Sequence, residues 1–358
     1  MILDIAIFII VLAVLVLAHE FGHFLAARKN GVRVDEFGFG FPPRLFGFKR
    51  GQTLYSLNLF PLGGFVKIAG ENEAESSDSE NFASKSLFSR ASILFAGVFF
   101  NIVLAFIIFS VVVPLGIPVD AEDPYWQLRV RDTAITVVEV LKGSSAELAG
   151  FKTGDRVLTL ETISGGIIKP SHVFEVQDFT RANAGQSAII EIERRGQKIV
   201  LSANLAEGEA PLGVATAKVG KIASPWYAVP WVGLELTAFA VWRTLEGFFF
   251  ILKLLFSGQS VAGFISGPVG IFSLVSGILD FGPVILMTFV ATLSINLAII
   301  NLMPFPALDG GRLLFLMIEG LRGKPLSRRI GGLAHALGFA ILIMLMAIIT
   351  YLDIKYKL

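Results

Sequence analysis

Two histidines four residues apart, His19 and His23, bracket Glu20 inside an otherwise apolar run. On a helix, side chains at i and i+4 leave the same face one turn apart, near enough to share one metal ion. Glu20 follows directly on His19, placed to take a proton from a water that such a metal activates. Imidazole and carboxylate are costly in hydrocarbon, so a cluster of them there needs something that satisfies it. The competing reading is a set of interior polar residues that bond neighbouring helices together. The chain has no cysteine. Disulfides, thiolate catalysis and cysteine ligands are therefore excluded, and any metal must be held by His, Asp or Glu.

A hydrolytic zinc site takes three protein ligands and keeps one position open. The strongest third candidate is Asp309, in Asn301-Leu302-Met303-Pro304-Phe305-Pro306-Ala307-Leu308-Asp309-Gly310-Gly311. Pro304 and Pro306 break the preceding helix, so the backbone can turn back and present a carboxylate inward. The other role open to Asp309 is to cap a helix starting near Gly310. Asp35 and Glu36 look more like a charged strand edge. His335 falls where helix packing is expected, and His172 has no partner in the pattern and reads as a surface residue.

These residues must be positioned by the elements of a membrane protein. Hydrophobic residues make up 54% of the chain and charged ones 16%, with a mean hydropathy of +0.71, well outside soluble composition. A net charge of +1 with no basic, aromatic-interleaved stretch gives no support for nucleic-acid binding. Four segments have the roughly twenty apolar residues needed to cross a bilayer: 2–27, 93–113, 284–303 and 333–352. The first reads as a retained helix and not a cleaved signal, since Asp4 stands where a basic n-region belongs and no clear cleavage site follows.

Arg28, Lys29, Arg33, Arg44, Lys49, Arg50 and Arg90 surround the first connection; Arg312, Arg322, Lys324, Arg328 and Arg329 lie in the last. The positive-inside rule puts both in the cytoplasm, and both termini and the 114–283 segment outside. His19, His23 and Asp309 then share the cytoplasmic end of the membrane.

The first connection reads as β structure: Phe37, Phe39 and Phe41 alternate with glycines, residues 53–60 alternate, and Gly63-Gly64-Phe65-Val66-Lys67-Ile68 follows a Pro-Leu turn. So many aromatics in a loop predict a hairpin dipping into the membrane beside the first helix, with its backbone paired or lining a cavity. Residues 71–80 read as an acidic, serine-rich linker. Residues 120–220 have soluble composition, with strands at 134–140, 156–160, 188–194 and 199–203, a short helix ending at Gly150, and a tight hairpin at Arg195-Gly196-Gln197. The 225–256 stretch is apolar but interrupted by Glu235, Arg243, Glu246 and Lys253, which predicts an interfacial helix on the outer face. The fold class is a membrane all-α bundle of four transmembrane helices with a membrane-associated β-hairpin loop and an inserted α+β domain. The divisions fall at 1–114, 120–220, 225–283 and 284–358.

His19-Glu20-Phe21-Gly22-His23 with a distant Asn-x-x-Pro-x-Pro-x-Leu-Asp-Gly resembles the site-2 protease family of intramembrane zinc metalloproteases, within it the bacterial regulator-of-sigma-E protease type. The likeness takes in Gly38-Phe39-Gly40 and Leu62-Gly63-Gly64-Phe65-Val66-Lys67 in the first connection. It continues through Arg90, Ala96-Gly97 and Asn101 in the second span, and Gly267-Pro268-Val269-Gly270 before the third. The 145–155 segment is similar to the PDZ domains inserted in this subfamily. The chain departs from the family at Val98, where proline is usual, and in having one such domain where better-known relatives have two.

The resemblance implies Zn2+ held by His19, His23 and Asp309, with Glu20 as general base, in the bacterial cytoplasmic membrane. It implies cleavage of single-span membrane proteins, such as anti-sigma factors or signal-peptide remnants, by zinc-activated water. Asn296 and Asn301 are implied to bond substrate or loop backbone, though polar residues in a span equally serve as helix glue. The Gly63, Gly64, Phe65, Val66 stretch either pairs with an unwound substrate by strand addition or is an ordinary hairpin strand. The PDZ-like domain would bind a substrate C-terminus or exclude bulky ectodomains. The reading from another class is a non-catalytic PDZ membrane scaffold, which has no need of Glu20. A transporter is a further rival, but no repeated or inverted half is visible.

Overall fold

The computed structural model describes residues 2–71, 78–127, 129–162, 165–194, 196–261, 264–324 and 327–357. Most of the expected acidic linker, and Arg195 of the expected tight hairpin, lie outside these residues. Helix α1 (Ile2–Lys29) leads into strands β1 (Val34–Arg50) and β2 (Thr53–Ile68), then helix α2 (Leu87–Val112). Next come β3 (Ile117–Asp120), β4 (Arg131–Val140), α3 (Ser145–Ala149), β5 (Arg156–Thr162), β6 (Ile167–Ile168), α4 (Val173–Ala182), β7 (Ser187–Arg194), β8 (Gln197–Asn204) and β9 (Val214–Ile222). The chain continues through α5 (Val229–Phe256), α6 (Pro268–Ile278), α7 (Pro283–Leu302), α8 (Asp309–Arg322) and α9 (Arg328–Lys357). Two compact units result: Met1–Val111 with Ala228–Leu358, and Val112–Tyr227.

In the first unit, four helices are long and apolar enough to cross a membrane: Ile2–Lys29, Leu87–Leu115, Pro283–Leu302 and Arg329–Lys355. They cover the four expected segments to within a few residues at the ends. Along α1 the buried residues include Val11, Leu15, His19, Gly22, His23 and Ala27. Steps of three and four place them on one stripe, so the histidines continue the packing face of the helix. That face meets α2 at Gly22, where an added Cβ would collide with the Ala96 carbonyl and touch Phe100. Only glycine permits the crossing.

The β segment folds back on itself. Residues 36–39 of β1 pair with 54–57 on one side and with 64–67 on the other. Residues 64–67 therefore form an outer strand, bordered by 36–39 alone among the described strands. The glycines alternate with phenylalanines for a steric reason: a Cβ at Gly38 would lie 2.6 Å from the Phe65 ring, and one at Gly63 2.7 Å from the Phe41 ring. Each ring covers the bare backbone of a glycine across the ladder. Phe37 and Tyr55 close on Phe24 of α1, with ring centroids 5.4 and 6.1 Å apart, which ties the sheet to the helix.

The expected helix within 225–256 forms as α5, which is not among the four helices long and apolar enough to cross a membrane. Gly233 rests on Ser110, near the end of α2, while the Thr244 hydroxyl donates to the Asn296 carboxamide oxygen at 2.9 Å in α7. Asn296 is two residues from Ser294, whose hydroxyl donates to the Asn101 carbonyl of α2 at 2.8 Å. From Gly233 to Thr244, α5 thus descends along the bundle by about the stretch of α2 between Ser110 and Asn101. The charges that argued for a surface helix are partly satisfied locally, since Arg243 pairs with Glu246 at 2.9 Å and lies over the Phe239 ring. The charge pattern alone does not reveal a helix that satisfies its charges this way.

Short helix α6 is held from both termini. The Asp353 carboxylate of α9, 2% exposed, accepts from the Gly267 and Gly270 amides at 2.8 and 2.9 Å. The Ser276 hydroxyl donates to Asp4 of α1 at 3.2 Å. A carboxylate against the first amides of a helix is favourable, and a side chain at either glycine would occupy its place.

The second unit is a seven-stranded antiparallel sheet in the order β3-β9-β4-β5-β7-β8, with β6 on β5. All four expected strands form, as does the short helix, whose Gly150 adopts φ 86 at the C-cap. His172 caps α4 and lies 3.7 Å from Glu122, half-exposed as expected. Ile135, Val137, Leu160, Ile190 and Ile192 fill the core with Phe151 and Phe179. Beside it Asp155, fully buried, accepts from Arg194 through both oxygens at 2.6 and 2.7 Å and from the Lys152 amide at 2.8 Å. Removing the guanidinium leaves a buried carboxylate without its countercharge. Arg194→Met is therefore expected to lower the stability of this unit by roughly 3 kcal/mol, read as faster hydrogen exchange in β5 and β7 of the intact protein.

Candidate metal centre

Each member of the candidate cluster is placed by a different local constraint. His19 and His23 are carried by the buried stripe of α1. Asp309 opens α8 after the Pro304 to Leu308 turn, in which Ala307 takes φ 86. Gly310 and Gly311 pack directly against the carbonyls of Leu302, Met303 and Phe305. A side chain at either position would push α8 off this turn. Further along α8, Arg90 of α2 pairs through both terminal nitrogens with Glu319, and Arg312 pairs with Glu71 at the exit of the β segment. The helix that presents Asp309 is clamped at two points.

The result is a tight convergence. Asp309 Oδ2 lies 3.1 Å from His19 Nε2 and 3.2 Å from His23 Nε2, and the two nitrogens are 3.2 Å apart. The three donors form the only group among the described residues able to hold a metal ion together. Asp309 Oδ2 is buried and makes no hydrogen bond of acceptable geometry, so the nitrogens approach it without donating along its lone pairs. The expected alternative, a helix cap, does not describe it, since Leu308 is the N-cap and no side chain caps this end.

Behind the rings, α2 supplies what the histidines need. His23 Nδ1 donates to the Ile93 carbonyl at 2.9 Å, which leaves Nε2 with its lone pair towards the cluster. Four residues on, Gly97 gives the rings room: a Cβ there would lie 2.7 Å from His23 Cε1 and 2.8 Å from His19 Cε1. Four further on, Asn101, fully buried, places its amide nitrogen 3.4 Å from His19 Nδ1. Gly97 and Asn101 were legible only as points of likeness. Their spacing of four on a helix was the available signal of one shared face.

Glu20 lies close enough to His19, His23 and Asp309 to interact electrostatically with each. Its stem sits beside Gly64, where an added Cβ would lie 3.4 Å from Glu20 Cγ and 3.0 Å from Val16. The outer strand 64–67 thus passes next to the cluster.

The remaining sequence candidates are not part of it. Asp35 pairs with Arg33 at 2.9 Å and Glu36 with Arg44 at 3.0 Å. Among the described residues His335 joins no ligand group, and it has Arg312 and Glu71 as charged neighbours. Asn296 holds Thr244, which is the helix-glue role. Asn301 sits half-buried near the end of α7.

The model of peptidase family M50 matches residues 7–345, from the first helix into the last. This chain belongs to that family. Its relatives include the zinc metalloprotease RasP of Geobacillus kaustophilus, 30% identical, with 97% of each chain covered. The RasP of Oceanobacillus iheyensis is also 30% identical, covering 97% of this chain and 98% of that one. The regulator of sigma-W protease RasP of Bacillus subtilis is 29% identical, again with 97% of each covered. Membership in a peptidase family leaves the non-catalytic scaffold without support.

The tolerance at Gly97 offers a direct check of this geometry. Gly97→Val is expected to push the two rings apart and to weaken divalent-metal uptake at least tenfold, since such constellations tolerate only about 0.5 Å. Far-ultraviolet circular dichroism should stay unchanged while metal content by mass spectrometry falls.

Proposed function

We propose that this chain is an intramembrane zinc endopeptidase, with His19, His23 and Asp309 as metal ligands and Glu20 as general acid and base. The observation that carries the reading is the 3.1 to 3.2 Å triangle of donor atoms. Ligands about 2.0 Å from a tetrahedral zinc lie about 3.3 Å apart, so the triangle approximates one face of that tetrahedron. Two imidazoles and one carboxylate are a donor set of the hydrolytic kind and would hold the metal through three protein ligands. The buried, unbonded Asp309 oxygen fits a cation better than it fits any group beside it. The zinc metalloprotease relatives support the same metal.

Zinc in this position supplies a Lewis acid that polarises a peptide carbonyl and eases deprotonation of water. The rest is done by the chain. Glu20 accepts the proton at its carboxylate and returns it to the departing amine. Hydrocarbon around α1 limits competing water, and the His23 bond to Ile93 keeps the ring in one tautomer.

A substrate helix must unwind before its amides can be attacked, and its freed backbone then needs partners. The outer strand 64–67, beside Glu20 and paired on one side only among the described residues, suits strand addition over an ordinary hairpin role. The substrates on this reading are single-span membrane proteins, including anti-sigma factors, in keeping with the sigma-W regulator among the relatives. The chain sits in the bacterial cytoplasmic membrane with both termini and the 120–220 unit outside, as the basic residues around Arg90 and Arg312 favour. That unit acts as a PDZ domain, binding a trimmed C-terminus or holding off bulky ectodomains.

Two substitutions separate the roles. Glu20→Gln, reconstituted with a single-span substrate, is expected to keep its zinc and lose cleavage by a factor of about 10² to 10⁴. Undiminished cleavage sinks the general-base assignment. Asp309→Ala is expected to lose the metal, and full zinc occupancy in that variant removes Asp309 from the site.

A further inference from the structure

The Asn101 side chain lies fully buried between α1 and α7, and its two polar atoms are badly placed as they stand. Its amide nitrogen is the atom 3.4 Å from His19 Nδ1, while its Oδ1 is buried with no hydrogen-bond partner. A histidine that gives its Nε2 lone pair to a metal carries its proton on Nδ1. With zinc in place, that Nδ1–H would face the N–H of the Asn101 amide, donor against donor. Exchanging the two ends of the amide leaves its shape nearly unchanged and turns the pair into an Nδ1–H···Oδ1 bond. The partner histidine already has this arrangement, through the Ile93 carbonyl.

We infer that Asn101 is the positioning residue for His19: in the metal-loaded protein its carboxamide oxygen accepts from His19 Nδ1 and holds the ring in the ligating tautomer. The inference rests on the zinc-site reading above. Its backbone supports the role. The Asn101 carbonyl takes the Ser294 hydroxyl at 2.8 Å, which fixes this turn of α2 against α7. Ile93, Gly97 and Asn101 then form one line on α2, an acceptor, a space and an acceptor, matching the two histidines of α1. No water is needed to satisfy either ring nitrogen on the far side.

The test uses full-length protein in detergent, with zinc affinity read by competition against a chelator and the ligand field read from cobalt-substituted protein. Asn101→Leu keeps the volume and removes the acceptor. It is expected to lose zinc affinity by ten- to a hundredfold and to shift the cobalt d–d bands. Asn101→Asp can only accept, and it is expected to keep both affinity and spectrum close to those of the unsubstituted protein. Unchanged zinc affinity in Asn101→Leu overturns the inference, as does an equal loss in both variants, which would mark a packing role. Should the leucine variant fail to fold, the aspartate variant decides alone: a tenfold loss overturns the inference and an unchanged spectrum upholds it. Unsubstituted protein that takes up no zinc overturns the metal-site reading, and this inference with it.

Discussion

Two imidazoles and a carboxylate cannot rest unpaired in an apolar bundle, and their mutual approach is the constraint that the first unit obeys. Bringing Asp309 Oδ2 within 3.2 Å of both rings requires α1 and α2 to come close, so glycines stand at positions 22 and 97. It requires the turn before α8 to be tight, so glycines stand at 310 and 311. It also requires α8 not to slide, and the ion pairs of Arg90 and Arg312 see to that. The small residues and the charged ones serve one geometric demand from opposite sides, closeness and fixity.

Around the cluster the polar groups form a graded shell. Ile93, Gly97 and Asn101 stand behind the histidines, Ser294 holds that turn of α2 to α7, and Asn296 binds α5 through Thr244. Polar side chains at this level therefore mostly bond helices to one another. Among the described strands, the outer strand 64–67 is bordered by 36–39 alone.

Much of this was legible in the sequence where the signal was local. The stripe of His19 and His23 with Val11, Leu15 and Ala27 follows the helical period, and the prolines before Asp309 mark a turn whatever surrounds them. Charge distribution led to the expectation that both halves of the cluster share one end of the membrane, and the structure brings His19, His23 and Asp309 together. Non-local effects were not legible. Nothing in residues 225–256 announces that Thr244 finds Asn296, or that Arg243 and Glu246 satisfy each other. The charges thus argued for a surface helix. The flanking of residues 36–39 by two different stretches of β2 is likewise a matter of register, which composition does not encode. Why Asp4 and Asp353 stand near the two ends of the chain became clear only once α6 lay between them.

The candidate centre is split between the first helix of the chain and the helix that follows α7. During synthesis the histidines are made long before Asp309, so for most of that time the nascent protein holds only part of the candidate cluster. The last donor arrives only when α7 has been inserted and the Pro304 to Leu308 turn has formed. On the reading proposed above, the full donor set exists only once residue 309 has been made and turned back towards α1. Distance along the polypeptide thereby sets the order in which the three donors come together.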